Sequence, residues 1–288
     1  MNEYNPTSNT TARNTIAART VQLFQEQQQN IIKHTDLLFA RLMIGQWIFA
    51  IGLALWLSPR TWAGTESGVN THVWAAFILG GLVTIVPVLL AFMRPGETLT
   101  RHAVAVGQML MSALLIHLTG GRIETHFHVF GSLAILAFYR DWRVLLSATV
   151  VVFMDHLLRG ILWPQSVYGV LSAPIWRSFE HAGWVVFEVT FLIISIRKSL
   201  SEMWLVAERQ ANLEAMKESI EQTVAERTAD LTREINERRQ AEQQLRKSQV
   251  QLAQAQQMAR LGSWEWDLAS NQVTWSEETM RLPRSDVP

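Results

Sequence analysis

Residues 117–160 read HLTGGRIETHFHVFGSLAILAFYRDWRVLLSATVVVFMDHLLRG. A tight Gly120-Gly121 turn opens the stretch, and two apolar runs follow, separated by the polar corner Tyr139-Arg140-Asp141-Trp142-Arg143. Each run approaches the roughly 20 residues that a helix needs to cross a bilayer. Yet His126, His128 and His156 interrupt them. Ionisable groups inside a membrane are costly, so those that are kept are candidates for function.

The rest of the chain splits sharply in composition. Of 288 residues, 49% are hydrophobic and 17% charged, but residues 36–197 are mostly apolar whereas 198–260 are dense in Glu, Arg, Lys and Gln. The zero net charge argues against nucleic acid as a partner. The absence of cysteine excludes disulfides, thiolate ligands and a cysteine nucleophile. The polar start MNEYNPTSNTTARNT is not a secretory signal.

Hydropathy predicts an all-α membrane protein with a six-helix bundle, its spans near 37–57, 73–93, 102–119, 124–139, 143–163 and 175–196. Pro87 is expected to kink the second. Arg94, Arg101, Arg140, Arg143, Arg197 and Lys198 fall in one set of connections, against Arg60, Arg122 and Arg177 in the other. The first side is therefore expected to be cytoplasmic, with both termini inside a bacterial inner membrane. Trp56, Trp62, Trp74, Trp163 and Trp176 then gather at the outer ends. The domain division expected is 1–35 as a cytoplasmic segment, with an amphipathic helix over about 12–33, then 36–197 as the bundle, 198–260 as a coiled coil and 261–288 as the start of a further domain.

Counting rise along the helices puts His126, His128, His156 and His181 at a common depth, about 10 Å below the outer surface. His117 lies nearer that surface, and Glu124, Asp155 and Glu180 sit beside the layer. Imidazoles suit copper, zinc or iron as bare ions, and paired histidines suit a b-type haem. The carboxylates are candidates to orient the rings from behind. His126 and His128 are two residues apart, about 200° around a helix, so they face different ways. A compact ion would take one of them together with His156 and His181, whereas two haem centres could use both. A hydrogen-bonded structural network is the plainer alternative. His34, His72 and His102 are expected to be interfacial, without a special role.

From Arg197 to about Arg260 the chain has no proline or glycine. Leu213, Met216 and Ile220, then Leu231 and Ile235, then Leu245, Leu252 and Ala259 trace an apolar seam with charged flanks. That pattern predicts a parallel homodimeric coiled coil.

Two segments resemble known families. AERTADLTREINERRQAEQQLRKSQVQLAQAQQMARLGSWEWDLASNQVTWSEE (226–278) resembles the signalling helix leading into a PAS domain of bacterial sensor histidine kinases and diguanylate cyclases, with Gly262–Asp267 and Val273–Ser276 similar to the first two PAS strands. The stretch 117–160 is similar to membrane sensor modules that precede bacterial kinases, cyclases and chemoreceptors, with the pattern GGRIExHFHxF, then YRDWR, then a histidine pair whose first member is here Asp155. Ethylene receptors, which bind copper in a small membrane bundle, are a looser analogy; they use a cysteine that this chain lacks. The resemblances imply the sensory front of a two-component or cyclase protein whose output domain lies beyond the sequence. A small diffusible or redox ligand is the expected stimulus. Membrane metalloenzymes of the oxidase or hydroxylase kind and proton-linked transporters also use histidine and carboxylate clusters. The long charged helix disfavours the first, and the apolar inner halves of the third to fifth spans disfavour the second.

Overall fold

The computed structural model describes residues 6–63, 66–259, 262–276 and 279–280. Helix α1 (Pro6–Leu57) leads through the antiparallel hairpin β1 (Arg60–Ala63) and β2 (Glu66–Val69) to α2 (Thr71–Met93) and α3 (Thr98–Leu118). Then come α4 (Ile123–Leu136), a single 3-10 turn (Ala137–Tyr139), α5 (Trp142–Leu162), the short α6 (Pro164–Tyr168) and α7 (Trp176–Ala259). A second hairpin, β3 (Trp264–Asp267) and β4 (Gln272–Trp275), pairs antiparallel. The chain forms two compact units, 1–214 and 215–288.

In the first unit, α3, α4, α5 and α7 enclose the main core, with Val104, Met109, Val129, Leu133, Leu145, Ala148, Val185 and Val189 at its centre. Small residues of α1 and α2 bring those helices onto α3 through Ala50, Ala54, Ala76, Met111 and Leu115. Phe77, Leu82, Ile85, Val86 and Leu89 of α2 stay exposed, as a lipid-facing surface requires. Pro87 lies within an unbroken α2, where its ring faces Gly107 of α3.

Among the described residues, five helices are long and apolar enough to cross a membrane, one fewer than the six predicted. The shortfall is α4, with 14 residues. Together with its 3-10 turn it reaches about 27 Å, still close to the roughly 30 Å of a bilayer core. The side chain of Trp62 and residues 260–261, 277–278 and 281–288 of the predicted tail lie outside the described residues.

The bundle has two distinguishable ends. At the hairpin end stand β1–β2, the Gly120-Gly121 turn and α6. At the tail end, buried Asp36 of α1 accepts a 2.8 Å hydrogen bond from the Tyr139 hydroxyl and a 2.6 Å bond from the Gly96 N–H, tying two connections to α1. Phe39 stacks on Tyr139 at 5.5 Å. Asp141 caps α5 through the Arg143 N–H and pairs with Arg101 at 3.0 Å. Arg140 adopts a left-handed backbone and donates to the Met203 sulfur of α7 at 3.4 Å. The polar corner of the sequence is thus a structural joint that touches α7.

The N-terminal segment is continuous with the first span, instead of forming a separate surface helix. Its apolar positions pack on α7, with Leu23 against Ala207 and Ala211, flanked by Ile16 and Phe24. Phe24 meets Trp204 edge-on at 5.4 Å. The Arg19 guanidinium hydrogen-bonds Glu214 at 2.8 Å and holds that carboxyl below its ordinary range. In the second unit, Leu231, Ile235, Leu245 and Leu252 are exposed on the single chain, as are β3 and β4.

Candidate functional site

Near the hairpin end, α4, α5 and α7 each contribute one histidine to a common centre. The ring centroids of His126 and His156 are 5.5 Å apart, those of His126 and His181 5.5 Å, and those of His156 and His181 5.8 Å. The same local device orients all three rings. Each Nδ1 lies against the backbone carbonyl four residues earlier: Arg122 at 2.9 Å, Val152 at 3.0 Å and Arg177 at 2.9 Å. Because a carbonyl only accepts, each Nδ1 carries the proton and each Nε2 presents a lone pair. The Nε2 of His126 is buried with no hydrogen-bond partner.

Histidines that bind metals show this arrangement, with the second ring nitrogen donating to a carbonyl or carboxylate. Three imidazoles bound through Nε2 at about 2.0–2.1 Å place their centroids about 5.2 Å apart in tetrahedral geometry and about 5.5 Å apart in a trigonal plane. The observed triangle matches the planar value or exceeds it by a few tenths of an ångström. Among the described residues, no group of three His, Asp or Glu stands close enough to hold an ion as placed.

The surrounding shell is apolar. Phe127, Phe130, Phe153 and Trp184 line a cavity of about 320 Å³ beside the trio, with Arg177 and Glu180 at its polar edge. Ser178 donates to the His156 carbonyl at 3.1 Å and receives the Tyr168 hydroxyl at 2.8 Å, so α6 braces the α5 histidine. Gly160 lets Ser178 approach, since a Cβ there would lie 2.9 Å from the serine oxygen. Arg177 stacks over Tyr168 at 5.4 Å.

The predicted carboxylates take different places. Asp155 stands 3.4 Å from Nδ1 of His156 and is paired to Arg159, with Oδ1 accepting from Nε at 2.7 Å. Glu180 is exposed at the cavity edge, and Glu124 is exposed on α4. Glu188, two turns along α7 from His181, has a buried Oε2 with no partner.

His128 and His117 are not part of the trio. His128 faces away from His126, as two residues of helix dictate. Its Nε2 meets Gln46 Nε2 at 3.1 Å and its Nδ1 meets Ser112 Oγ at 2.8 Å. His117 bonds Ser166 Oγ at 2.9 Å and packs edge-on against His72 at 5.1 Å and Trp163 at 4.8 Å. His72, expected to have no special role, thus belongs to an aromatic cluster with His117. His102 pairs with Ser147 at 2.8 Å.

Sequence reasoning missed Gln46, Gln108, Ser112, Tyr168 and Ser178. The two glutamines carried a usable signal, being lone amides inside apolar runs. The others fit ordinary helix and loop composition.

One curated protein shares measurable similarity: the "Transducer protein Htr8" of Halobacterium salinarum is 31% identical over 96 residues, a third of this chain and 14% of that protein. The match thus spans about a seventh of that relative. No family model matches the chain, and no solved structure matches it.

Proposed function

We propose that this chain is the sensory part of a transmembrane signalling protein, in which His126, His156 and His181 hold a transition-metal centre and α7 carries its state to an output domain. The observation that carries this reading is the shared orientation of three imidazoles on three helices, each Nδ1 tied to its own helix and each Nε2 left for a ligand. The likeness to a transducer protein supports the signalling half.

A bound ion would supply an open coordination position for a small diffusible or redox ligand. The chain's own residues do the rest. Tyr168 and Ser178 hold the α5 ligand, Asp155 orients its imidazole, and the phenylalanines exclude water. Centre and output are linked because His181 lies on α7, the same helix that meets Arg140 at Met203 and runs on to Ala259. A stimulus acts only through a difference in affinity between two arrangements, and a tenfold difference supplies about 1.4 kcal/mol. Shifts of one helix past its neighbours are a common form of such arrangements. In this reading the seam from Leu213 to Ala259 joins two copies as a coiled coil, both termini are cytoplasmic, and a kinase or cyclase domain follows.

A b-type haem is the second reading. The aromatic cavity with Arg177 at its edge favours it, since a flat apolar ring with carboxylate arms suits those residues. Histidines of the trio would then hold its iron, which would supply the redox or gas-binding chemistry.

Replacing His181 with alanine in the full-length protein tests the proposal. Loss of metal together with loss of stimulus-dependent output is expected. Retained metal with normal output would overturn it.

A further inference from the structure

A second polar site lies on the opposite side of α4 from the histidine trio. There α1 and α4 barely touch, leaving a groove of about 540 Å³ that opens sideways between them, lined by Arg41, Gly45, Gln46, His128, Gly131 and Ser132. Gly45 and Gly131 have open space where a side chain would stand, which leaves both walls flat.

The hydrogen bonds at its floor fix what the groove lacks. Ser112 donates its only proton to the Gln108 carbonyl at 3.0 Å. Its oxygen therefore receives Nδ1–H of His128 at 2.8 Å. That leaves Nε2 of His128 as an acceptor, filled by the Gln46 amide N–H at 3.1 Å. Gln108 meanwhile donates to Ser132 at 3.0 Å. Every ring nitrogen is satisfied, while the amide oxygens of Gln46 and Gln108 are both left buried without a partner; of these two residues, Gln46 is the one that lines the groove. A buried acceptor with no donor costs about 1–3 kcal/mol, which a ligand hydroxyl donating to it would recover.

Depth selects the source of that donor. Gln46 is ten residues along α1 from Asp36, about 15 Å at helical rise and near the middle of the apolar layer. Phospholipid head groups do not reach there, and acyl chains bring no donor. A membrane-dissolved phenol or hydroquinone does both, carrying a flat ring and a hydroxyl into the groove.

We propose that the groove between α1 and α4 binds a lipid-phase hydroquinone through a hydrogen bond from its hydroxyl to Gln46 Oε1, with the ring between Gly45 and Gly131. The site selects the reduced form, because a quinone carbonyl has no proton to give. It is independent of the metal proposal, since His128 is occupied by Gln46 and Ser112.

Saturation binding of tritiated 2-decylhydroquinone to the full chain in lipid nanodiscs, under anaerobic conditions, tests this. The hydroquinone is expected to compete about tenfold better than its dimethyl ether or its quinone, the size of one buried hydrogen bond. Gln46→Leu is expected to weaken binding by a similar factor. Gln46→Glu, which keeps an acceptor oxygen, should retain most of it, and His126→Ala should leave it unchanged. Equal competition by the ether would reduce the groove to an apolar crevice and overturn the proposal. So would loss of binding in His126→Ala with retention in Gln46→Leu, which would move the ligand to the histidine trio.

Discussion

Gly120 and Gly121 form a natural pair of controls for how the cap over the histidine trio is held. Both have left-handed backbones, with φ of +69° and +76°. Alanine at either position carries the same conformational strain, about 1–2 kcal/mol. Their surroundings differ. A Cβ on residue 120 meets nothing within 4 Å, whereas one on residue 121 falls 2.3 Å from Gly169 N and 2.9 Å from Tyr168 N and Val167 C. Those are backbone atoms and cannot rotate aside, so α6 must retreat by about 1 Å to reach ordinary contact. That movement pulls Ser166 from His117 and Arg159, and Tyr168 from Ser178. At about 1 kcal/mol for each of three hydrogen bonds, Gly121→Ala should cost about 4–5 kcal/mol against 1–2 for Gly120→Ala. The brace behind His156 goes with it, and loss of such support typically lowers metal affinity 10–100-fold. Thermal unfolding in nanodiscs and titration with Zn²⁺ or Cu²⁺ read the two effects. Equal stability and equal affinity in the two variants would refute the close packing of α6 on the turn.

Other consequences can be checked in the same preparations. Asp36→Asn places an amide beside the Gly96 N–H and Tyr139 hydroxyl, strands one buried donor, and should destabilise the bundle by about 1–3 kcal/mol in thermal unfolding. His156→Ala should abolish metal binding, whereas His117→Ala and His128→Ala should leave it; equal loss in all three would dissolve the distinction between the trio and its neighbours. Imidazole lone pairs are shared between protons and metal, so metal affinity should fall as pH is lowered, and a pH-independent affinity would argue against histidine ligation. Lysine at both Leu231 and Leu245 puts charge into the proposed dimer seam and should abolish cross-linking between α7 helices.

The helical architecture was legible because apolar runs and a long charged helix are strong periodic signals. The bounds of the fourth run were legible too, 124–139 against 123–139; that its last turn is 3-10, held by Tyr139 reaching Asp36 across 103 residues of chain, was not. The separate surface helix expected over 12–33 went the same way. Its loose apolar face reads as membrane-bound until Ala207 and Ala211 supply a partner. Within the site, the 200° between His126 and His128 already required that they diverge. Which of them joins His156 and His181 depends on the rotation of α4, and that is set by packing around Val129 and Leu133. The i−4 carbonyl bonds that orient all three rings leave no trace in residue identity, and neither does the serine-tyrosine brace.

Elemental analysis of the purified full chain, taken with its absorption spectrum, bears most directly on the three-imidazole centre. One equivalent of copper, zinc or iron per chain, lost together on alanine substitution of His126, His156 or His181, is the expected result, with a Soret band marking the iron as haem. A chain free of stoichiometric metal in both its spectrum and its composition, or one that keeps its metal when two of the three rings are removed, would contradict it.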